Sequence, residues 1–546
     1  MQYYIERIYG IVRGGSMFSF LAKKAGYWFA SKQESNTNKK ESPENDALAK
    51  KISDNIHAIK TQTFQSNDVV VREFSIGCNP AYNAAIVFID GLANVKIIND
   101  DIIKSLMFNS ICYEELDKHL DNLIDYIEKS LISVNEVKTV DTISDAINGF
   151  LNGDVLLFID GIDKAIIINS KGWDKRSVSE PAGESVVRGP RESFIENLRT
   201  NTSLIRRKIK HPALTIESMI VGKKTRTNIS IAYISGVAKA EVVAEVKKRI
   251  KAIDTDSILE SGYIEQFIED SPGSIFATIG FTEKPDVAAA KILEGRVAVV
   301  VDGTPFVLTM PYLFLESFQA AEDYYFRPYF ATLLRFIRII GFAITILAPA
   351  FYVAVTTYHQ ELIPTELLIT MASAREGVPF PAFVESLVMI IVFEILREAG
   401  IRLPRPVGQA LSIVGALVIG ESAVAAGLIG APMVIVVAIT AVSGFVVPNQ
   451  ADAAAVLRLI LLALGASFGG FGMTIGMLGT LVHMSSLESF GFPYLSPTVP
   501  FDISDSKDAI IRAPLWMMLS RPKNMAADKQ RKKYTVPPAG TDGEGN

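Results

Sequence analysis

The sequence predicts a soluble N-terminal region of α+β or α/β type, built from two similar subdomains, and after it an all-α polytopic membrane domain. Three observations predict this. Apolar residues make up 49% of the 546-residue chain, and the mean hydropathy of +0.27 is high for a soluble protein of this length. The apolarity is uneven: up to about Tyr329 charged and apolar stretches alternate, and beyond it long uncharged runs dominate. Finally, apolar runs closed by a turn pair recur in the first half at a nearly constant offset.

The chain opens with an amphipathic, basic stretch, Met1 to Ala30, in which Arg7, Arg13, Lys23 and Lys24 stand among aromatics. It lacks an uninterrupted apolar core and a small-residue cleavage site, so it does not read as a signal peptide, and the N-terminal half is expected to stay in the cytoplasm. Tyr3 to Phe29 fits either a membrane-surface helix or a weakly ordered extension. Ser31 to Asn45 is polar and reads as a disordered linker. Structured sequence is expected from about Asp46, first a helix and then a strand over Val69 to Ser75.

An internal echo lies in this half. Ile86 to Ala93 (IVFIDGLA) is matched by Ile231 to Ala238 (IAYISGVA), 145 residues on. Each is followed by a helical pattern, Asp100 to Met107 in one case and Ala240 to Ile250 in the other. Val155 to Gly161, followed by the apolar Ala165 to Ile168, is matched 142 residues on by Val297 to Gly303, followed by Pro305 to Thr309. Asp-Gly between two apolar runs is a hairpin signal, because glycine accepts the positive φ of a tight turn. Two pairs at nearly one offset point to a duplicated subdomain.

Between the two copies lies a basic stretch carrying Arg188, Arg191, Arg199, Arg206 and Arg207. Arginine forks hold carboxylates and other anions, so these five are candidates for a docking surface. The physics of the stretch alone favours a solvated helix face joining the subdomains. Further on, Glu322-Asp323-Tyr324-Tyr325 precedes Arg327, Arg335 and Arg338, which reads as a membrane entry with interfacial aromatics and inner-face cations.

A bilayer core asks for about 20 apolar residues per helix. Five segments approach this: Ile339 to Val355, Phe383 to Leu396, Val407 to Ala426, Ala431 to Val447, and Leu459 to Met484. Basic flanks place both ends of the domain inside: Arg327, Arg335 and Arg338 at the start, Arg397, Arg402 and Arg405 between the second and third segments, and Arg512, Arg521, Lys523, Arg531, Lys532 and Lys533 in the tail. Five segments cannot return the chain to its starting side, so one is expected to be re-entrant or split. The last run, with Gly465, Gly469, Gly470, Gly472, Gly476 and Gly479, is the best candidate. Those glycines otherwise read as close helix packing more than as a gate.

Ionisable groups inside apolar segments are costly. Glu394, one turn from Arg397 and Glu398, and Glu421 are candidates for an ion path or, equally, for interhelical hydrogen bonds. Glu385 lies near an expected interface and reads as structural, through interhelical hydrogen bonding or an interfacial position. Leu367 to Ala372 is too short to cross and fits an interfacial piece or one re-entering the pore; with Glu394, Arg397 and Glu421, the segment Glu366 to Pro381, including Arg375 and Glu376, is a candidate ion path or gate.

No nucleophile, phosphate loop or metal cluster emerges, so no catalytic, cofactor or metal residue is assigned and an enzyme is not expected. The two cysteines, Cys78 and Cys112, form no metal or redox motif. The five histidines stand singly, and no basic face suited to nucleic acid stands out from the net charge of −5.

Several long strings carry a resemblance. They include NGDVLLFIDG from Asn152, SKGWDKRSVSEP from Ser170, VVRGPRESFIENLRTNTSLIRRKIK from Val186, SILESGYIEQFIED from Ser257, LEGRVAVVVDGTPFVL from Leu293 and QAAEDYY from Gln319. In the second half they include the run from Glu376 through EGVPFPAFVESLVMIIVFEILREAGIRLPRP to Leu428, and SFGFPYLSPTVP from Ser489. Over about residues 65–515 the chain resembles the A subunits of spore germination receptors, the GerA family of endospore-forming bacteria. It departs from that pattern in a longer extension before Asp46 and a more acidic Asn449-Gln450-Ala451-Asp452.

The resemblance implies a multi-pass protein of the spore inner membrane, its N-terminal region facing the spore core. It implies partnership with a transporter-like B subunit and a C-subunit lipoprotein, and homo-oligomerisation into a nutrient-gated ion channel that releases cations. No catalytic residue is carried over. The expected division is an extension and linker (1–48), two cytoplasmic subdomains (49–190 and 191–325), a membrane domain (326–485) and a cytoplasmic tail (486–546). A secondary transporter is the competing reading, weakened by the absence of a repeat within the membrane half.

Overall fold

The computed structural model describes residues 46–531 apart from 77–80, 109–119, 135, 173–180, 182, 403–417, 500–505, 519, 523–524 and 529–530. The expectations for Tyr3 to Phe29, the linker, Cys78, Cys112, most of Val407 to Ala426, Arg405, Lys523, Lys532 and Lys533 lie outside these residues. The lobes, the helices and the returning tail all belong to one compact unit, Leu48–Asn546.

The first lobe begins with α1 (Ile52–Gln62), β1 (Val69–Ile76) and β2 (Tyr82–Ile89). A helix α2 over 95–108, wound more loosely in its middle turns, comes after them. Then come α3 over 120–131, β3 (Val137–Val140), α4 (Ile143–Leu151), β4 (Val155–Ile159) and β5 (Ala165–Ile168). Polar caps start α2 and α4 where the sequence turns. Asn94 accepts from Lys96 N at 3.0 Å, and Thr142 Oγ1 accepts from Asp145 N at 3.2 Å. The sheet order is β1-β2-β4-β5-β3, and every pairing in it is antiparallel.

The second lobe repeats the plan. It runs α5 (Leu198–Lys208), β6 (Leu214–Val221), β7 (Thr227–Ile234), α6 (Ala240–Lys251), α7 (Ser261–Ile268), β8 (Gly280–Thr282), α8 (Pro285–Leu293), β9 (Val297–Val301) and β10 (Val307–Met310). The order β6-β7-β9-β10-β8 is the first sheet's order in new numbers, again all antiparallel. Strands β1 and β6 start 145 residues apart, at Val69 and Leu214. Strands β4 and β9 start 142 apart, at Val155 and Val297. Asp160-Gly161 and Asp302-Gly303 turn the hairpins β4–β5 and β9–β10, with φ of +90° and +91° at the glycines.

The period of two along a strand explains why the central strands read as unbroken apolar runs. Val155, Leu157 and Ile159 of β4 face a core shared with α2 and α3, while Leu156 and Phe158 face one shared with α1 and α4. In β9, Val297, Val299 and Val301 meet α6 and α7, whereas Ala298 and Val300 meet α5 and α8. Each sheet is thus covered by helices on both faces.

After the second lobe come α9 (Pro328–Thr357), α10 (Thr365–Ser373), α11 (Ala382–Arg402), α12 (Ala431–Gly444) and α13 (Ala451–Ser486). Among the described residues two helices are long and apolar enough to cross a membrane: Pro328–Thr357, with mean hydropathy 2.1, and Pro448–Ser486, with mean hydropathy 1.9. This is fewer than the five segments expected. Helix α11 carries five charged residues, Glu385, Glu394, Arg397, Glu398 and Arg402, and α12 has only 14 residues. Helix α10 lies largely exposed.

Helices α9 and α13 form the most extensive helix pair among the described residues. Small residues permit the approach: a Cβ on Gly465 would lie 3.1 Å from the Ala350 carbonyl oxygen. The last apolar run is broken, because Gly469 has φ +59° and ψ −142° inside α13.

The chain then returns to the second lobe. Phe490, Phe492 and Met525 join its core, Ala526 bridges Ala238, and Ala527 N donates to the Val237 carbonyl at 2.8 Å.

Candidate functional site

The basic stretch before the second lobe does not present one continuous face. Asn197 caps α5 by accepting from Thr200 N at 3.0 Å, and the amphipathic helix then lays Leu198, Leu204 and Ile205 into the core. The same rotation turns Arg206 inward, where it is 1% exposed. Its Nε donates to Asp68 Oδ2 at 3.0 Å, and its Nη2 donates to Asp68 Oδ1 at 2.9 Å and Ser66 Oγ at 3.2 Å. Ser66 Oγ also accepts from Ile216 N at 2.9 Å, and Asn67 N donates to the Ile216 carbonyl at 2.9 Å. Arg206 is therefore corrected from docking candidate to internal joint between the lobes.

Arg199 reaches Asp90 at 3.3 Å. This is possible because Gly91, with φ +87°, leaves room for α5; a Cβ there would lie 3.1 Å from the Arg199 carbonyl oxygen. Arg207 and Lys208 both hold Glu192, each at 3.2 Å. Partial burial alone would raise the Glu192 carboxyl, but the hydrogen bonds and charges of Lys208 and Arg207 outweigh it and hold the group below the ordinary carboxylate range. Arg188 and Arg191 are exposed; the Arg188 backbone N–H donates to Glu322 Oε1 at 3.2 Å.

In the helical part, the candidate charges form two separate groups. Arg375, just past α10, donates through Nε and Nη2 to Glu385 Oε1 at 3.2 and 3.0 Å. Glu385 is fully buried and through Oε2 accepts at 3.0 Å from the N–H of Gly430, the residue that caps the start of α12. Of the two structural readings of Glu385, the contacts are those of interhelical hydrogen bonding: it ties α10, α11 and α12 together. Glu394 of α11 pairs with Arg397 at 2.8 Å and with Arg458 of α13. Sequence reasoning misses Arg458 because it falls one residue before the apolar run that starts at Leu459. The signal that could find it is the lone Arg at the edge of the last apolar run, answering Glu394 within the apolar part of α11. Glu366, Glu376 and Glu421 lie exposed and join neither group.

A further cluster stands at the root of α9. Asp323 and Arg335 are both fully buried, with Arg335 Nε donating to Asp323 Oδ2 at 3.0 Å. Arg335 Nη1 also donates to Asp508 Oδ1 at 3.1 Å and to the carbonyls of Asp508 and Ala509 at 2.6 and 3.1 Å. Arg338 Nη1 donates to both Asp323 oxygens at 2.9 Å, and the Tyr324 hydroxyl to Asp508 Oδ2 at 2.7 Å. Arg335 and Arg338 are therefore ion-pair partners within this cluster. Among the described residues no group of three or more His, Cys, Asp or Glu is placed to hold a metal ion.

The break in α13 gives a direct test of the helical geometry. Its ψ lies in a region nearly confined to glycine, and a Cβ on Gly469 would lie 2.9 Å from Tyr358 Cβ. Gly469→Ala is expected to cost roughly 1–3 kcal/mol, read as a lowered unfolding temperature in detergent, while Gly479→Ala, where a Cβ meets nothing within 4 Å, leaves it unchanged.

Two duplicated α/β lobes, a bundle with apolar helices and ion pairs between them, and a tail that returns to the second lobe define a protein with a large folded region attached to a helical, membrane-type part. The profile of the Bacillus/Clostridium GerA spore germination protein family matches residues 57–524. The chain belongs to that family, and is a germinant receptor A subunit of spore germination. It is 44% identical over 501 residues to Spore germination protein KA of Bacillus subtilis, covering 91% of each chain. To Spore germination protein GerLA of Bacillus cereus it is 38% identical over 482 residues, covering 88% of this chain and 96% of that one. The solved N-terminal domain of the A subunit of the Bacillus megaterium germinant receptor GerK3 matches 49% of this chain and 97% of its own at 39% identity, with a TM-score of 0.40.

Proposed function

We propose that the protein is a multi-pass subunit of a nutrient receptor in the spore inner membrane, oligomerising as a nutrient-gated ion channel whose opening releases cations. The lobes would face the spore core, and a transporter-like B subunit and a C-subunit lipoprotein would complete the receptor. The working division is 1–48, 49–190, 191–325, 326–485 and 486–546. The observation that carries the reading, beyond family membership, is the Glu394–Arg458 pair linking α11 and α13. A charge pair between helices rich in apolar residues is costly unless it serves assembly or passage.

The candidate ion path or gate comprises Glu366, Arg375, Glu376, Glu394, Arg397 and Glu421. Arg188, Arg191, Arg199 and Arg207 remain a candidate docking surface for a partner. A nutrient-loaded partner would shift the closed–open balance through contacts that differ between the two states.

Spores lacking the gene, exposed to amino acids, sugars and nucleosides, test the role. Loss of cation release for one nutrient class, restored by the gene, is expected; unchanged release together with no ion flux from the purified protein in liposomes would sink the proposal. Neutralising Glu394 and Glu421 together is expected to lower cation conductance at least severalfold. Unchanged conductance and selectivity would remove both from the path. A secondary transporter is favoured by one feature, the broken α13; flux that saturates with solute would select it over a channel.

A further inference from the structure

Breaking a helix inside an apolar bundle frees backbone groups that need partners. At the α13 break two side chains just past the C-terminal end of α9 supply such partners. The Tyr358 hydroxyl lies 2.9 Å from the Ala466 carbonyl oxygen and 3.0 Å from that of Ser467. His359 Nε2 accepts from Gly470 N at 3.1 Å. The rings reach the backbone because the residues they meet are glycines: a Cβ on Gly469 would lie 3.1 Å, and on Gly470 3.2 Å, from His359 Nε2.

A backbone N–H only donates, so this contact uses a lone pair on Nε2. Nδ1 faces the Glu361 carboxylate at 3.8 Å, and that carboxylate is largely exposed. From α13 no ionisable side chain lies between Arg458 and His483, and Tyr358 is occupied with the carbonyls of the same break.

We propose that His359 is a pH-sensitive latch on the α13 break. Protonating Nε2 turns the acceptor into a donor, sets it against the Gly470 N–H, and releases His359 from the break. The two halves of α13 then change their angle at Gly469, the residue whose backbone already permits it. This goes beyond the proposed receptor function and does not require the protein to conduct.

The test uses the full chain in lipid vesicles, with Cys78 and Cys112 replaced by serine and spin labels at Leu459→Cys and Leu478→Cys. These exposed positions flank the break. Distances between the labels are measured at about pH 8 and about pH 5, either side of ordinary imidazole titration. With His359 present, the distance distribution is expected to shift on acidification. In His359→Gln, whose amide oxygen accepts at both values, it should stay in the high-pH form. In His359→Phe, with no acceptor, it should hold the acid form throughout. A pH-invariant distribution with His359 present overturns the latch, and needs no variant to fold. A shift that persists in His359→Gln, or a high-pH form in His359→Phe, overturns it equally.

Discussion

Arg335→Ala is expected to destabilise the root of α9 by about 3–5 kcal/mol, the range for breaking a buried ion pair by removing one partner. The guanidinium holds Asp323, Asp508 and two carbonyls of the tail at once. Its loss would leave Asp323 with Arg338 alone among the arginines and would release the tail around Asp508. Arg335→Lys should recover only part of the loss, because a single ammonium cannot reproduce the fork that reaches two separate carboxylates. Limited proteolysis of the purified protein should report early cleavage near 508–512 together with a lowered unfolding temperature. Unaltered cleavage and stability in Arg335→Ala would show that the cluster adds nothing to the attachment of the tail.

Asp68→Ala should act on the other joint with a similar cost, about 3–5 kcal/mol, because it leaves Arg206 buried without its carboxylate. Removing both charges with apolar residues of nearly the same combined volume, Asp68→Val with Arg206→Met, is expected to restore much of the stability, since an apolar pair needs no desolvated charge. A double-mutant cycle read by thermal unfolding separates the pairwise contribution from the individual losses. If the double variant were as unstable as Asp68→Ala, the joint would depend on the hydrogen bonds through Ser66 and not on charge compensation.

Much of the fold is legible in the sequence because its signals are local. The Asp-Gly hairpins, the apolar strands and the near-constant spacing of the two copies are written in stretches of a few residues. Strand order is not, because pairing partners such as β2 and β4 are brought together over long separations. The choice between α+β and α/β stays open for a related reason. Helices cover both faces of each sheet, so β4 and β9 are as uniformly apolar as parallel strands usually are, although every pairing is antiparallel.

The charged sites divide along the same line. Glu394 and Arg397 sit one turn apart and read as a pair. Arg458 is 64 residues from Glu394, and Asp508 is 173 from Arg335. Nothing in the neighbourhood of Arg335 reveals a carboxylate that far along the chain, so it reads only as one of the inner-face cations of a membrane entry. Arg206 is misplaced more narrowly. Its helix does join the lobes, as the sequence suggests, but the turn of that helix on which each arginine falls decides whether it meets solvent or Asp68.

The return of the tail has a consequence for biosynthesis. Phe490, Phe492 and Met525 fill the second lobe's core, yet the ribosome adds them only after α9 through α13. The first lobe holds its strands and core helices within residues 52–168 and can close early. The second can form its sheet and the core beneath α5 and α8 from its own residues, but its other core receives these three side chains only after the helical part has emerged and the chain has come back. A nascent chain whose helices have not yet assembled therefore lacks the last side chains of that core.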